Sequence, residues 1–281
     1  MNVQKSIQLK GSGGRPFLLD LYAPEAGPHR PLVVFVHGFK GFKDYACWEL
    51  VAREFVAAGF VFIKFNFSHN GTTVENPSAF DDLEAFGNNN FSRELDDLGT
   101  VLDWALSGEQ LHTFNIDPGQ VSLIGHSRGG ATVLLKAHED ERVKRVVSWA
   151  GVGNLDAYMR ADEVTRWRES GVVYVENSRT KQQMPLYYQL YEDFVAHADR
   201  LDLEAALRSM NQPYLVVHGT ADTVVPYSAA LHLYENSHNS ELETIMGADH
   251  TFGALHPWPS AALPDHLELV VKKTVAYLGR R

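Results

Sequence analysis

The sequence predicts an α/β fold, with a mostly parallel central sheet flanked by helices and one inserted segment. Short apolar runs alternate with segments of helical periodicity, which is the pattern of a parallel sheet covered on both faces. A Gly-x-Ser-x-Gly turn joins one of these runs to a helix. Late in the chain, an aromatic-rich stretch at 153–208 interrupts the alternation. Together these features indicate one large domain that carries an insertion.

Strands and helices alternate from near the start of the chain. Residues 31–36 form a continuous apolar run, as expected of a strand buried on both faces. Asp44 is a candidate cap for a helix that runs to about Ala58, and Gly59 stands where helices commonly end. Apolar residues spaced three and four apart between 95 and 105 predict another helix. The other predicted strands are 60–65, 121–124, 143–150, 214–217 and 242–245, and the other predicted helices are 131–138 and about 264–278.

Composition and charge narrow the classes of partner. The 281 residues include 25 Lys and Arg against 35 Asp and Glu, a formal net charge of −10. This balance argues against nucleic acid and anionic membrane surfaces, which need clustered basic residues. Cys47 is the only cysteine, so no intrachain disulfide is possible, and the first residues lack the apolar core of a signal peptide. We expect a cytoplasmic protein that binds a small molecule; its oligomeric state is open, with a homodimer as one option.

The candidate nucleophile is Ser127, in Gly125-His126-Ser127-Arg128-Gly129. A serine hydroxyl is a poor nucleophile at neutral pH, so it must be held against a base and beside donors for an oxyanion. A tight turn between a strand and a helix achieves both, and glycines at its flanks leave room for the backbone. Predicted strand 121–124 precedes this turn and predicted helix 131–138 follows it, so the context fits a catalytic serine.

From about Val33 to His250 the sequence resembles the α/β-hydrolase superfamily, in which the triad follows the order serine, acid, histidine. Asp222 lies in a loop after a predicted strand and resembles the acid; His250 lies in a loop after the last core strand and resembles the histidine. The resemblance implies an α/β-hydrolase fold in which His250 takes the proton from Ser127 and Asp222 orients the imidazole. Asp249 is the nearest rival acid.

The resemblance also implies a division of the chain. Residues 1–152 and 209–281 form the hydrolase core, and residues 153–208 form an inserted lid. A hairpin is predicted inside this segment, with two short strands around a polar turn at 177–180. We expect the lid to form one wall of the substrate pocket. The alternative is a stabilising decoration that does not touch substrate.

An oxyanion hole requires two backbone donors. One candidate is the amide of Arg128, directly after the nucleophile, and the other is the amide of Phe39, in the loop after the strand at 33–36. Because both donors are amides, substitution of either side chain tests packing and pocket shape rather than the donor itself. The predicted substrate-binding residues are Phe39, His126 and Val225.

Segments 37–44 and 65–71 are similar to those of lidded bacterial esterases of the cinnamoyl or feruloyl type. This resemblance implies a serine carboxylesterase for hydroxycinnamoyl-like or short-to-medium acyl esters. Alternatives are an oligopeptidase-like or acylaminoacyl peptidase, an acyltransferase, and a binding protein that kept the fold without catalysis. The 13 histidines show no metal-ligand spacing, and no glycine-rich nucleotide loop precedes a helix, so neither a metal nor a cofactor is expected.

Overall fold

The computed structural model describes residues 1–25, 27, 29–159 and 163–280. These residues form one eight-stranded sheet and a separate pair of strands. Residues 160–162 of the predicted lid, and residues 26, 28 and 281 of the predicted core, lie outside the described residues. The strands are β1 (Asn2–Lys10), β2 (Pro16–Ala23), β3 (Arg30–Val36), β4 (Val61–Phe65), β5 (Ile116–His126), β6 (Arg145–Trp149), β7 (Val172–Glu176), β8 (Gln183–Tyr187), β9 (Tyr214–Gly219) and β10 (Ser240–Ile245).

The large sheet has the strand order β1-β2-β4-β3-β5-β6-β9-β10. All pairs from β4 to β10 in this order are parallel, whereas β2 is antiparallel to both β1 and β4. The predicted mostly parallel sheet is therefore confirmed. Because the strands are parallel, the loops after β3, β5, β9 and β10 leave the same edge of the sheet, which is where ligands bind in open α/β folds.

Helices cover both faces of the sheet. Side chains of β3 alternate between two cores: Val34 belongs to the core beneath α3, α5 and α8, and Phe35 belongs to the core beneath α1 and α10. This alternation explains why the buried strands are continuous apolar runs in sequence. The helices are α1 (Trp48–Ala57), α2 (Leu83–Gly87), α3 (Phe91–Ala105), α4 (Gly108–Phe114), α5 (Arg128–Glu139), α6 (Val164–Ser170), α7 (Gln189–Ala196), α8 (Leu203–Ser209), α9 (Tyr227–Glu235) and α10 (Asp265–Leu278).

The expected cap of the first helix is wrong. Helix α1 begins at Trp48, and Cys47 occupies the cap position without a side-chain hydrogen bond. Asp44 instead accepts a hydrogen bond of 2.6 Å from Nζ of Lys43 and pairs with Nζ of Lys64 on β4. Both lysines are buried, so the carboxylate of Asp44 supplies charge to the interior rather than to a helix end. The predicted glycine stop is confirmed, since Gly59 follows the helix at φ +95°.

The segment between β6 and β9 carries the predicted hairpin. Strands β7 and β8 pair antiparallel, from Val172 opposite Tyr187 to Glu176 opposite Gln183. Helix α6 precedes the hairpin, and α7 and α8 follow it before the chain returns to the sheet. Trp167 of α6 is fully buried and donates its indole N–H to the carbonyl of Leu186, which fastens the hairpin to the helix. Within the described residues, no helix combines the length and apolar character needed to cross a bilayer.

Candidate active site

Ser127 lies at a sharp turn between β5 and α5, in a backbone conformation with a positive φ of 56° and a ψ of −122°. Such a conformation is costly for a residue with a side chain, and it is held here by close packing of the turn. A Cβ built on Gly125 would lie 2.1 Å from the carbonyl oxygen of Gly129, and one built on Gly129 would lie 2.4 Å from that of Val36. Both glycines are thus required by the geometry of the turn.

The loop after β3 lies directly against the serine. A Cβ on Gly38 would stand 2.9 Å from Cβ of Ser127 and 3.0 Å from the carbonyl oxygen of His126. His37 braces this loop, because its Nδ1 donates to the carbonyl of Gly38 at 2.9 Å. Burial lowers the pKa of His37 to about 4, so the ring is neutral and acts as a hydrogen-bonded support.

Two backbone amides beside Ser127 are free to donate. The amide of Phe39 makes no hydrogen bond within the described residues. Arg128 is the first residue of α5, and its amide is likewise without a partner in that part of the chain, as expected for a first-turn helical N–H. Two free amides near a serine hydroxyl can stabilise an oxyanion formed on the attacked carbonyl.

His250 and Asp222 are joined by a hydrogen bond of 2.8 Å between Nδ1 and Oδ2. They come from the loops after β10 and β9, which the parallel sheet brings to the same edge. Since a carboxylate only accepts, this bond places a proton on Nδ1 and leaves Nε2 of a neutral His250 free to accept one. His250 and Ser127 line one cavity, and no hydrogen bond joins their side chains in the described structure.

Asp222 is held as a carboxylate by several donors. Its Oδ1 accepts from the amides of Val224 and Val225 at 2.8 and 2.9 Å, and its Oδ2 lies 3.2 Å from Nε2 of His218. Burial by itself would raise the pKa of Asp222, but the hydrogen bonds from the two histidines and the backbone outweigh it and lower the pKa below its usual range. The charge needed to orient the ring of His250 is therefore present throughout the neutral and mildly acidic range.

The rival acid, Asp249, is engaged elsewhere. Its Oδ1 accepts from the amides of Thr251 and Gly253 at 3.1 and 2.8 Å, so it shapes the loop that carries His250. No hydrogen bond from Asp249 to the imidazole is present among the described residues. The structure thus pairs His250 with Asp222 and not with its sequence neighbour.

His126 supports the histidine loop from below. Its Nε2 donates to the carbonyl oxygen of His250 at 2.9 Å, and the two ring centroids are 4.9 Å apart. Burial lowers the pKa of His126 to about 3, with a smaller contribution from the nearby ring of His250. The side chain of His126 is therefore a neutral donor that holds the backbone of His250 in place.

The side chain of Arg128 has a role that the sequence did not reveal. Its guanidinium pairs with the buried carboxylate of Glu94 on α3. Aromatic rings surround the cation, with the centroid of Phe39 at 4.6 Å, that of Tyr158 at 5.5 Å and that of Phe91 at 5.6 Å. The only signal in the sequence is that Glu94 shares the buried stripe of α3 with apolar residues, where a carboxylate needs a partner.

Two cavities meet at Ser127. The first has a volume of about 350 Å³ and lies between the loop after β3, the loop of His250 and the tip of the β7–β8 hairpin. The second has a volume of about 570 Å³ and lies between the loop after β6, the loop of Asp222 and helix α9. Of the predicted substrate-binding residues, Phe39 and His126 line the first cavity and Val225 lines the second. Tyr158 and Val224 line both.

A ligand set for a metal ion is absent from the part of the chain that the structure describes, since no three His, Cys, Asp or Glu side chains converge suitably. Cys47 is buried, and burial raises the pKa of its thiol to about 12, so it is an unreactive packing residue.

The fold and the site define a class of protein, namely an α/β protein with a serine at a strand-to-helix turn and a histidine–aspartate pair beside it. A profile of the alpha/beta hydrolase family matches residues 33–259, and the chain belongs to this family. It is 27% identical over 266 residues to "Putative esterase YitV" of Bacillus subtilis (strain 168), covering 93% of this chain and 96% of that protein.

Solved structures share the fold. The ferulic acid complex of Est1E from Butyrivibrio proteoclasticus is 19% identical, with a TM-score of 0.69 over 97% of this chain and 98% of that one. A puromycin-hydrolyzing peptidase of Mycobacterium tuberculosis is 18% identical, with a TM-score of 0.67 over 99% of this chain and 39% of that one. At these identities the likeness establishes the fold alone. The family match and the relative named as a putative esterase support ester hydrolysis in general.

Proposed function

We propose that this protein is a serine carboxylesterase that works through an acyl-enzyme on Ser127. The observation that carries the proposal is the 2.8 Å hydrogen bond between Nδ1 of His250 and Oδ2 of Asp222, beside a cavity that also contains the strained Ser127. This bond selects the tautomer in which Nε2 can accept a proton from a serine hydroxyl. A histidine with only a structural role would not need an ionised, fully hydrogen-bonded aspartate at its Nδ1.

The proposed reaction has two halves. Oγ of Ser127 attacks the ester carbonyl while His250 takes the hydroxyl proton, and the amides of Phe39 and Arg128 stabilise the oxyanion. The carbon–oxygen bond to the alcohol then breaks, and His250 returns the proton to the departing alkoxide. Water repeats the sequence on the acyl-enzyme: His250 takes its proton, the hydroxide attacks the carbonyl, and Ser127 leaves protonated as the acid is released.

The two cavities favour esters with an apolar or aromatic group on each side of the scissile bond. Phe39, Tyr45 and Trp48 line the first cavity, and Val152, Val225 and other small apolar residues line the second. Volumes of about 350 and 570 Å³ fit medium-sized groups. Ferulic acid bound by the structural neighbour Est1E supports hydroxycinnamoyl-like esters as one substrate class, beside short-to-medium acyl esters.

Labelling and a substrate panel test this proposal. A fluorophosphonate should modify Ser127, as located by mass spectrometry of peptides, and p-nitrophenyl esters of rising acyl length and methyl hydroxycinnamates should be hydrolysed. Aminoacyl anilides in the same panel test the peptidase alternative. The likeness to the puromycin-hydrolyzing peptidase is the reason to include them. Faster turnover of anilides than of esters would replace the esterase proposal, and an unlabelled, folded protein would refute it.

We also propose that residues 153–208 act as a lid on the substrate pocket. Two parts of this segment support the proposal, because Tyr158 lines both cavities and the hairpin tip at 177–179 lines the first. Replacing residues 177–182 by a two-residue turn should change the relative rates within the ester panel. A hairpin that only decorates the fold would leave those relative rates as they are.

The cytoplasmic location stays a prediction, and the oligomeric state stays open.

A further inference from the structure

The first cavity contains two cationic side chains, Lys40 from the loop after β3 and Arg179 from the tip of the β7–β8 hairpin. Nη2 of Arg179 donates to the carbonyl of Lys40 at 3.0 Å, and Nζ of Lys40 donates to the carbonyl of Glu176 at 3.0 Å. These two hydrogen bonds connect the loop after β3 to the β7–β8 hairpin. Each bond goes to a neutral carbonyl, so neither cation is neutralised by it.

No described carboxylate forms an ion pair with Lys40 or Arg179. The nearest hairpin carboxylate, Glu176, pairs instead with Lys181 at 3.1 Å. Burial is the main cause that lowers the pKa of Lys40, the charge of Arg179 lowers it further, and the carboxylate of Glu176 opposes both effects in part. Burial also lowers the pKa of Arg179. Lys40 is half-buried and Arg179 is exposed, and neither forms an ion pair with a described carboxylate, so both charges are available to an anionic group in the cavity.

The charges around Ser127 are distributed unevenly. Asp and Glu are absent from the described residues that line the first cavity, although the chain as a whole carries a net charge of −10. The second cavity, on the other side of Ser127, is lined by Asp156 and Glu204. The first cavity is thus lined by two cations and no described carboxylate, whereas the second is lined by Asp156 and by Glu204, which pairs with His232.

We propose that the half of the substrate bound in the first cavity carries a carboxylate, which Lys40 and Arg179 bind. The proposal rests on the esterase function and names its substrate class, an ester with one anionic half. The rings of the cavity would hold the apolar body of that half, and the guanidinium of Arg179, already fixed against Tyr45 with its carbon 4.7 Å from the ring centroid, would present its remaining N–H groups to the carboxylate.

A structural reading of Arg179 makes a different prediction. Its guanidinium also approaches the rings of Phe42 and Phe80 at 5.5 and 6.0 Å, so it anchors the hairpin tip to the core. If anchoring were its only role, its loss would reduce the hydrolysis of charged and neutral esters by the same factor. A carboxylate site predicts a change in the ratio between them.

Two matched pairs of esters measure this ratio on both sides of the scissile bond. On the acyl side, mono-4-nitrophenyl adipate is compared with its methyl ester; on the alcohol side, 4-carboxyphenyl butyrate is compared with 4-carbamoylphenyl butyrate. Only the pair whose charged half binds in the first cavity should respond. For that pair, Lys40→Met and Arg179→Met should each lower the anionic-to-neutral ratio of kcat/KM by about tenfold. Arg179→Lys should recover part of that loss. Comparing each variant with the wild type cancels differences in intrinsic reactivity.

Lys181→Met is the control, because this hairpin lysine pairs with Glu176 and does not line the cavity. It should leave the ratio as in the wild type. Raising the salt from 50 to 500 mM should lower the wild-type ratio without any substitution. Ratios that are unchanged by both variants and by salt, with Ser127-dependent hydrolysis intact, would overturn this inference alone. Absence of hydrolysis of all four esters would overturn the esterase proposal, and this inference with it.

Discussion

The guanidinium carbon of Arg128 lies 4.6 Å from the ring centroid of Phe39, so the side chains of the two candidate oxyanion residues pack on each other. The guanidinium also pairs with the buried carboxylate of Glu94. The ion pair therefore ties helix α5 and the loop after β3 to α3. We infer that Glu94 and the side chain of Arg128 position the two amides of the proposed oxyanion hole.

Glu94→Gln should destabilise the protein by about 3 to 5 kcal/mol, because it leaves the buried cation of Arg128 without its counter-charge. Urea unfolding measures this change in the free energy of unfolding. The double variant Glu94→Leu, Arg128→Met removes both charges and should regain most of the stability. In the double variant kcat should be lower than in the wild type with little change in KM, because the amides of Phe39 and Arg128 lose the ion pair that positions them while the residues lining the cavities remain. Full recovery of kcat together with stability would show that the ion pair is only structural.

Gly38→Ala should lower kcat by about a hundredfold, a loss of the size seen when one oxyanion donor is removed. The added Cβ would meet Cβ of Ser127 at 2.9 Å, and either the serine or the loop with the amide of Phe39 must move. Gly108→Ala is a matched control, because a Cβ there meets nothing within 4 Å and the position lies in the first turn of α4. Steady-state rates on p-nitrophenyl butyrate distinguish the two. Equal rates in both variants would mean that the loop after β3 does not shape the reaction.

Asp222→Asn should lower kcat by about 10⁴-fold without unfolding the protein. The amide can offer a donor to Nδ1 of His250, which selects the wrong tautomer and removes the charge that stabilises the imidazolium. Asp249→Asn changes the same functional group next to the same histidine, and it should cost far less because Asp249 bonds only to its own loop. A larger loss in the Asp249 variant would reassign the acid.

Burial of neutral His126 should make the protein less stable as the pH falls. Its pKa is about 3 in the folded state against an ordinary value of 6.5, so the unfolded chain binds a proton that the folded chain does not. The stabilisation is complete above pH 6.5 and is lost as the pH falls toward 3; His37 and His69, with pKa values lowered to about 4, act in the same direction.

His126→Gln keeps a donor toward the carbonyl of His250 and removes one titrating group. The variant should be less stable than the wild type at pH 6.5, and the gap should narrow by about 2 kcal/mol at pH 5. Urea unfolding at the two pH values gives the difference directly. A gap of constant size would show that His126 is already charged, or exposed, in the folded protein.

Six strands of the sheet, β3 to β6, β9 and β10, could be predicted from sequence because they depend on local patterns, whereas β1 and β2 are not among the predicted strands. A few neighbouring residues determine each of three features: the buried strand that ends at Val36, the turn around Ser127 and the end of the first helix at Gly59. Asp44 misled the prediction because its partner Lys64 lies 20 residues away on β4, and a buried charge pair outweighs a helix cap. Tertiary electrostatics therefore set the limit of local reasoning.

The same limit applies to the site. Triad candidates could be named because each follows a predicted strand, and parallel strands end at one edge. The cage around Arg128 could not be predicted, because Glu94, Phe91 and Tyr158 come from separate elements that meet only in the folded protein. The pairing of Lys40 with the hairpin tip has the same origin, since 139 residues separate Arg179 from it.

The central claim is that Ser127 is the nucleophile, and the hydrolysis of p-nitrophenyl butyrate by Ser127→Ala tests it most directly. The variant should fold as the wild type does, as judged by circular dichroism and urea unfolding, because the half-buried hydroxyl of Ser127 makes no hydrogen bond among the described residues and contributes little to stability. Its kcat should fall by about 10⁴-fold or more, and fluorophosphonate labelling should disappear. A folded variant that keeps wild-type turnover would contradict the account.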